Sequence, residues 1–167
     1  EFVKKYFSDG DLTTIDGVGY RNEIGEIHIS KKRIYIDDFK NFPIPDRSVL
    51  PMHLYGKGRS PLDRILPEYK ALSMTISRGC PFVCTFCSAT QFWGRRIRYR
   101  ETKDVLDEMQ ILKEEYGATA IVIDDDNFLV DKKRVTSILE GMIERKLDLK
   151  WICGSGSMVK IIDKDDK

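Results

Sequence analysis

The sequence predicts an α/β fold with parallel strands joined by helical crossovers, preceded by an extended connector. Two observations carry this prediction. From residue 72 onward, apolar segments of strand length alternate with amphipathic segments of helix length, and the stretch before them is rich in proline. A strand, helix, strand, helix, strand order favours right-handed crossovers and a parallel sheet. We therefore divide the chain into a connector, residues 1–70, and an α/β domain, residues 71–167.

The connector is predicted to contain a β-hairpin and no long helix. Two strand-like segments, 17–21 and 26–30, flank the glycine-containing turn 22–25, a pattern typical of a hairpin. Five prolines follow, and such spacing excludes a long helix because proline lacks an amide donor. They lie at positions 43, 45, 51, 61 and 67.

The α/β domain is predicted to begin with a strand over 72–76. Thr102 or Asp104 is expected to cap the first helix, which ends at Gly117. The unbroken apolar run 120–123 indicates a strand buried on both faces. Asp131 is expected to cap the second helix, and a third strand follows over 149–153. The apolar face of the second helix is predicted to comprise Val135, Ile138, Leu139, Met142 and Ile143.

Three cysteines follow the first predicted strand at C-x3-C-x2-C spacing: Cys80, Cys84 and Cys87. A 4Fe-4S cluster usually takes four thiolates, so three local cysteines leave one iron without a protein ligand. A metal site with a free coordination position is typical of a catalytic site rather than a structural one. The alternative is a closed zinc site with Cys153, His28 or His53 as fourth ligand. Zinc sites more often use two separated ligand pairs, and a disulfide framework would leave one of the three cysteines over.

The segment SRGCPFVCTFCSA resembles the radical S-adenosylmethionine superfamily, with Phe86 as the aromatic before the last cysteine. It is most similar to the branch whose members often carry a cobalamin-binding domain upstream. The resemblance implies an incomplete TIM-type barrel of six units, of which this chain would supply the amino-terminal half. It also implies a 4Fe-4S cluster whose open iron binds S-adenosylmethionine. That cofactor is cleaved to a 5′-deoxyadenosyl radical or, with cobalamin, serves methyl transfer.

Polar residues follow the second and third predicted strands, where α/β barrels place their functional groups. Asp124, Asp125 and Asp126 follow the second strand. The resemblance implies that this segment contacts the cofactor's amino group, and we expect Asp125 or Asp126 to accept its hydrogen bonds, with Asp124 on the other face. A solvated acidic turn and a magnesium site are the alternatives.

Two further cofactor contacts are expected at Phe86 and Ser155. The resemblance implies that the Phe86 backbone contacts the adenine while its ring shields the cluster; an ordinary core phenylalanine is the alternative. Ser155 lies between Gly154 and Gly156, where backbone amides and the hydroxyl are expected to approach the ribose or the carboxylate. Without a wider nucleotide-binding motif, a flexible turn is an equal alternative.

Charge and hydropathy limit the partners. The 28 basic and 27 acidic residues nearly cancel, so nucleic acid is not an expected partner. A short cluster of arginines, 95–100, interleaves with aromatics, but acidic residues on the next helix favour a salt-bridged surface. No apolar run approaches the roughly 20 residues of a membrane span, and we expect a soluble, cytoplasmic protein.

The sequence thus predicts an enzyme. We expect the chain to be a fragment of it, because the sequence opens at Glu1 without an initiator methionine. We expect little or no activity from it alone, cobalamin bound by an absent upstream domain, and an electron donor such as flavodoxin or ferredoxin. The substrate is expected to be a small molecule of a type that the sequence does not indicate. A zinc-stapled binding module and a methylthiotransferase-like enzyme are the alternatives. The latter expects further cluster cysteines upstream, and residues 1–70 contain none.

Overall fold

The computed structural model describes residues 2–8, 10–36, 39, 42–55 and 67–158. The chain divides into two compact units, Glu1–Ile36 and Asp37–Lys167. The first unit is therefore shorter than the predicted connector, and the rest of the connector lies in the same unit as the α/β domain. Pro61 lies outside the described residues.

The first unit consists of a short helix, α1 (Phe2–Phe7), and two antiparallel strands, β1 (Gly19–Arg21) and β2 (Ile27–Ile29). The turn between the strands closes through a hydrogen bond from the Gly25 amide to the Asn22 carbonyl, 2.9 Å. The sequence analysis did not predict α1, whose residues are all at least partly exposed.

The second unit is built on a parallel sheet of three strands. These are β3 (Ala71–Met74), β6 (Ala120–Ile123) and β7 (Lys150–Cys153), and β6 lies between the other two. In register, Met74 lies opposite Ile123, which lies opposite Cys153. All four residues of β6 are buried, as expected for an apolar strand covered on both faces. The predicted parallel α/β sheet is confirmed.

Two helices make the crossovers: α3 (Thr102–Glu114) and α4 (Lys132–Glu144). Asp131 caps α4 as predicted, because its carboxylate accepts a hydrogen bond from the Arg134 amide, 3.1 Å. The predicted cap of α3 is wrong. The N-cap position is Glu101, and no side-chain hydrogen bond caps the helix.

The apolar faces of both helices pack on the sheet. Buried side chains such as Met109, Leu112 and Ile138 are inaccessible to solvent, and each contributes roughly 1.5–3 kcal/mol by burial. Val135, Leu139 and Met142 also join the core. Ile143, predicted on the same face, is 76% exposed because it follows Met142 directly and faces away from the sheet.

A second, two-stranded sheet stands where β3 ends. Its strands are β4 (Ser77–Arg78) and β5 (Arg98–Tyr99), which pair antiparallel, and helix α2 (Ala89–Trp93) lies between them in sequence. The Arg78 guanidinium stacks on the Trp93 ring at 4.8 Å. Residues 80–88 therefore lie in the connection between two paired strands.

In the described part of the predicted connector beyond residue 36, the longest helical element is a three-residue 3-10 turn, Met52–Leu54. This agrees with the proline pattern. No helix in the described ranges is long and apolar enough to cross a membrane.

Candidate functional site

The backbone between β3 and the cysteines, residues 75–79, is here called the loop root. Asp125, two residues after β6, binds it from the neighbouring strand. The Ile76 amide donates to one carboxylate oxygen at 2.7 Å, and the Ser77 hydroxyl donates to the other at 2.5 Å. Asp125 is 2% exposed, and burial raises the pKa of its carboxyl above the ordinary value of 3.8, against the effect of these hydrogen bonds. Asp125 thus joins two adjacent parallel strands at their carboxyl ends.

Asp126 binds the same root one step further along. The Gly79 amide donates to its carboxylate at 3.2 Å. Gly79 has a φ of +108°, and a Cβ atom at this position would lie 2.4 Å from the Arg96 carbonyl oxygen. Only glycine fits such a close backbone approach without strain. The residue before the first cysteine is therefore fixed from both sides.

The three cysteines lie on residues 80–87, here called the cysteine loop, and their thiols are free. Cys80 and Cys84 are partly buried and Cys87 is exposed. The Cys87 amide donates to the Cys84 carbonyl at 3.1 Å, so these two cysteines share one turn. In the part of the chain that the structure describes, no three cysteine, histidine or acidic side chains meet closely enough to hold a metal ion.

Phe86 is 91% exposed, so it is not the ordinary core phenylalanine that was the alternative. Its ring projects into solvent beside Cys87. It is therefore accessible to whatever the cysteine loop binds.

The loops after β6 and β7 meet at the same edge of the sheet. Asp124 is exposed, and its Oδ1 lies 2.3 Å from where a Cβ atom on Gly154 would stand. Ser155 is exposed. Within the described ranges, two buried oxygens on these loops have no hydrogen-bond partner, Asn127 Oδ1 and Ser157 Oγ. Unsatisfied buried polar atoms are rare in proteins and often mark a functional site.

The three predicted acidic residues, Asp124, Asp125 and Asp126, have different surroundings in the structure. Both oxygens of Asp125 accept hydrogen bonds from the chain itself, whereas Asp126 is only partly buried and Asp124 is exposed. The main role of Asp125 is thus structural: it connects the loop root after β3 to the segment after β6. The geometry favours Asp126 over Asp125 for contact with a ligand amino group, which stays a prediction.

Sequence analysis missed a buried ion cluster beside the loop root. Glu108 on α3 is 1% exposed and binds Arg47 at 2.6 Å and Arg100 at 2.5 Å. Arg100 belongs to the arginine cluster first considered for nucleic acid, and it is engaged inside the fold. A glutamate on the apolar side of a helix was the available signal, since it follows Val105 by three residues.

The chain has a three-cysteine loop at the end of the first parallel strand and an acidic loop at the end of the second. This arrangement agrees with the predicted resemblance to radical S-adenosylmethionine enzymes. The curated relatives carry the names of enzymes. The chain is 32% identical over 155 residues to an uncharacterized methyltransferase of Pyrococcus horikoshii, covering 93% of this chain and 32% of that protein. It is 27% identical over 158 residues to the anaerobic magnesium-protoporphyrin IX monomethyl ester cyclase of Rubrivivax gelatinosus, covering 94% and 26%.

Solved structures agree on the fold. The cobalamin-dependent S-adenosylmethionine radical enzyme OxsB superposes with a TM-score of 0.66 at 23% identity, over 89% of this chain and 20% of OxsB. The radical S-adenosylmethionine methyltransferase TsrM of Kitasatospora setae superposes with a TM-score of 0.57 at 18% identity, over 86% of this chain and 28% of TsrM. No protein-family model matches the chain.

The predicted resemblance to the radical S-adenosylmethionine superfamily, in its cobalamin-associated branch, is thereby confirmed as a likeness of fold to two such enzymes, and the sequence relatives carry the names of enzymes. The chain spans about a third or less of the length of the curated relatives it matches.

Proposed function

We propose that this chain is the cluster-binding and cofactor-binding half of a radical S-adenosylmethionine enzyme, with Cys80, Cys84 and Cys87 as the ligands of a 4Fe-4S cluster. One observation carries the proposal. Three free thiols lie on one loop that is tied, through Asp125 and Asp126, to the carboxyl end of the neighbouring parallel strand.

The donor set fits the proposed cluster. Thiolates are the protein ligands that iron-sulfur clusters use, and the exposure of Cys87 and Phe86 leaves the loop surface accessible to a bulky inorganic group. When bound, the cluster would supply the electron for cleavage of S-adenosylmethionine. The chain's own part is to bind, orient and enclose the two groups.

We place S-adenosylmethionine between the loops that follow the three parallel strands. Asp126 is proposed to accept hydrogen bonds from the amino group, the backbone at Phe86 to contact the adenine, and Ser155 to contact the ribose or the carboxylate. Asn127 Oδ1 and Ser157 Oγ support a ligand here, because both are buried acceptors without a partner among the described residues.

The whole protein is proposed to complete an incomplete TIM-type barrel around this half. The hairpin of β1 and β2 is proposed to belong to a connector between the barrel and an upstream cobalamin-binding domain. Methyl transfer to a small molecule is the favoured reaction, since several relatives are named as methyltransferases. Cleavage of S-adenosylmethionine without cobalamin is the alternative. A flavodoxin or ferredoxin would supply electrons in the cytoplasm.

Anaerobic reconstitution of the chain with iron and sulfide tests the proposal. The expected product holds about four iron and four sulfide per chain and has a broad absorption band in the visible. Cys84→Ala should lose the cluster, whereas the matched variant Cys153→Ala should keep it, because Cys153 ends β7 outside the cysteine loop.

Stoichiometric zinc without the visible band would instead support a zinc-stapled binding module. Equal iron content in Cys84→Ala and the unmodified chain would refute the ligand assignment.

A further inference from the structure

Glu108 occupies an unusual position for a carboxylate. It is 1% exposed on the face of α3 that packs on the sheet. A buried charge is strongly unfavourable unless it is paired and hydrogen-bonded. Here both oxygens are paired: Oε1 with Arg47 and Oε2 with Arg100. The three side chains are here called the Glu108 clamp.

Both arginines of the clamp also bind the backbone where β3 ends. Arg100 donates to the Thr75 carbonyl at 3.0 Å, and Arg47 donates to the Ser73 carbonyl at 3.3 Å. The Arg100 amide donates to the Ile76 carbonyl at 3.1 Å. The clamp therefore holds the backbone at the start of the loop root, in addition to Asp125.

The two arginines come from separate parts of the chain. Arg100 precedes α3, whereas Arg47 lies in the segment 42–55, 61 residues before Glu108. Arg47 lies beside a cavity of about 240 Å³ that also borders Ile76 and Arg78. The Arg47 side chain therefore borders open space as well as the clamp.

We propose that Glu108 is a positioning residue for the cysteine loop, and that Arg47 makes this positioning depend on the segment 42–55. When this segment is seated, both oxygens of Glu108 are paired and the Ser73 carbonyl accepts a hydrogen bond from Arg47. When Arg47 is withdrawn, Glu108 keeps Arg100 as its one partner, the Ser73 carbonyl loses its contact with Arg47, and the backbone leading into the root is held less firmly. The importance of this coupling for catalysis rests on the function proposed above, but its physical basis does not.

Cysteine labelling in the cluster-free chain tests the coupling. The full chain is treated with iodoacetamide, and the rates at Cys80, Cys84 and Cys87 are measured by mass spectrometry relative to Cys153. Arg47→Ala should raise the relative rate at Cys80 about tenfold, because a weakened root opens more often. Arg47→Lys should restore most of the protection, since it keeps the charge next to Glu108.

The matched control is Arg145→Ala. Arg145 also pairs with a carboxylate of α3, Asp107, at 2.7 Å, but towards α4 and away from the loop root. It should leave the relative rate at Cys80 unchanged. Glu108→Gln should raise that rate, and adding Arg47→Ala to it should have no further effect if the two residues act through one contact.

Equal relative rates in Arg47→Ala and Arg145→Ala would overturn the proposal, as would additive effects of Arg47→Ala and Glu108→Gln. If Glu108→Gln fails to fold, the pair Arg47→Ala and Arg47→Lys still decides. The labelling uses no iron, so its result is separate from reconstitution. Failure of reconstitution with a positive labelling result would reject the proposed function and keep the clamp.

Discussion

The loop root and the cysteine loop are neighbours in sequence, but they differ in solvent exposure and in how firmly their backbone is held. In the root, Ile76 is 1% and Ser77 is 4% exposed, the Asp125 carboxylate accepts from the Ile76 amide, and the Arg100 guanidinium donates to the Thr75 carbonyl. In the cysteine loop, Val83 is 69% and Phe86 is 91% exposed. The chain thus uses buried charges to fix where the loop starts and leaves its surface open. This division is what a loop needs if it is to bind a large group in a fixed position.

The comparison has an energetic reason. The exposed apolar side chains of the cysteine loop, Val83 and Phe86, contribute little to the stability of the fold. The root, by contrast, contains buried amides that require hydrogen-bond partners. Its partners are the carboxylates of Asp125 and Asp126 together with strand β5, because the chain leaves the parallel sheet after β3.

The largest effect is expected from Asp125→Ala. This change leaves the buried Ile76 amide and Ser77 hydroxyl without their acceptor, and each unsatisfied group costs about 1–3 kcal/mol. We expect a loss of about 2–4 kcal/mol in the free energy of unfolding, measured by urea denaturation. Relief of the desolvation that raises the pKa of Asp125 keeps the loss below the simple sum.

The control for Asp125→Ala is Asp124→Ala. Asp124 is exposed, and exposed substitutions of this kind usually change stability by about 0.5 kcal/mol or less. Similar losses in the free energy of unfolding of both variants would contradict the distinction between a buried, structural Asp125 and an exposed Asp124.

A somewhat smaller effect is expected from Gly79→Ala. An alanine at φ +108° is strained, and its Cβ would approach the Arg96 carbonyl to 2.4 Å. Such strain costs about 1–3 kcal/mol, measured as a lower midpoint of thermal unfolding. The matched variant is Gly156→Ala, which has a φ of +80° but no heavy atom within 4 Å.

Gly156→Ala should therefore cost only the backbone strain of about 1–2 kcal/mol. If it destabilised the protein as much as Gly79→Ala, the close contact at the root would be irrelevant to stability.

The next prediction concerns pH. Burial raises the pKa of Asp125, whereas hydrogen bonds from Lys103 and Arg145 lower the pKa of Asp107. A carboxyl with a raised pKa binds more protons in the folded state, so its contribution to stability falls as pH rises from below 3.8 through the raised pKa. For Asp107 the contribution rises as pH rises from the lowered pKa through 3.8.

The measurement is the free energy of unfolding across this pH range for the unmodified chain, Asp125→Asn and Asp107→Asn. The difference between the unmodified chain and Asp125→Asn should fall with pH, and the difference for Asp107→Asn should rise. Slopes of the same sign would show that Asp125 is not the desolvated partner of the root.

Local patterns in the sequence predicted much of the sheet and helices. The run 120–123 is β6, and Asp131 caps α4, because an apolar run and a capping residue act over a few neighbouring positions. The predicted cap of α3 is wrong, because the helix begins at Thr102 after Glu101 and no side chain caps it. The Arg47 to Glu108 contact spans 61 residues, and no local pattern encodes such a contact.

The candidate site divides in the same way. Sequence placed acidic residues at the end of β6, because carboxyl ends of parallel strands meet at one edge of the sheet. It placed Asp124 on the other face but did not indicate that the Asp125 carboxylate accepts a hydrogen bond from the Ile76 amide. That depends on the course of the backbone after β3, where the chain leaves the parallel sheet.

The smallest effect on stability is expected from Phe86→Ala in the cysteine loop. Because the ring is 91% exposed, its removal should change the free energy of unfolding by no more than about 0.5 kcal/mol. The proposed function nevertheless predicts a functional loss, since the ring would shield a bound cluster from water and oxygen. After anaerobic reconstitution, the visible absorption of Phe86→Ala should decay faster in air than that of the unmodified chain. Phe92→Ala is the matched control, because Phe92 is 72% exposed on α2, outside the cysteine loop. Equal decay in both variants, with equal stability, would mean that the exposed face of the loop does not cover the cluster.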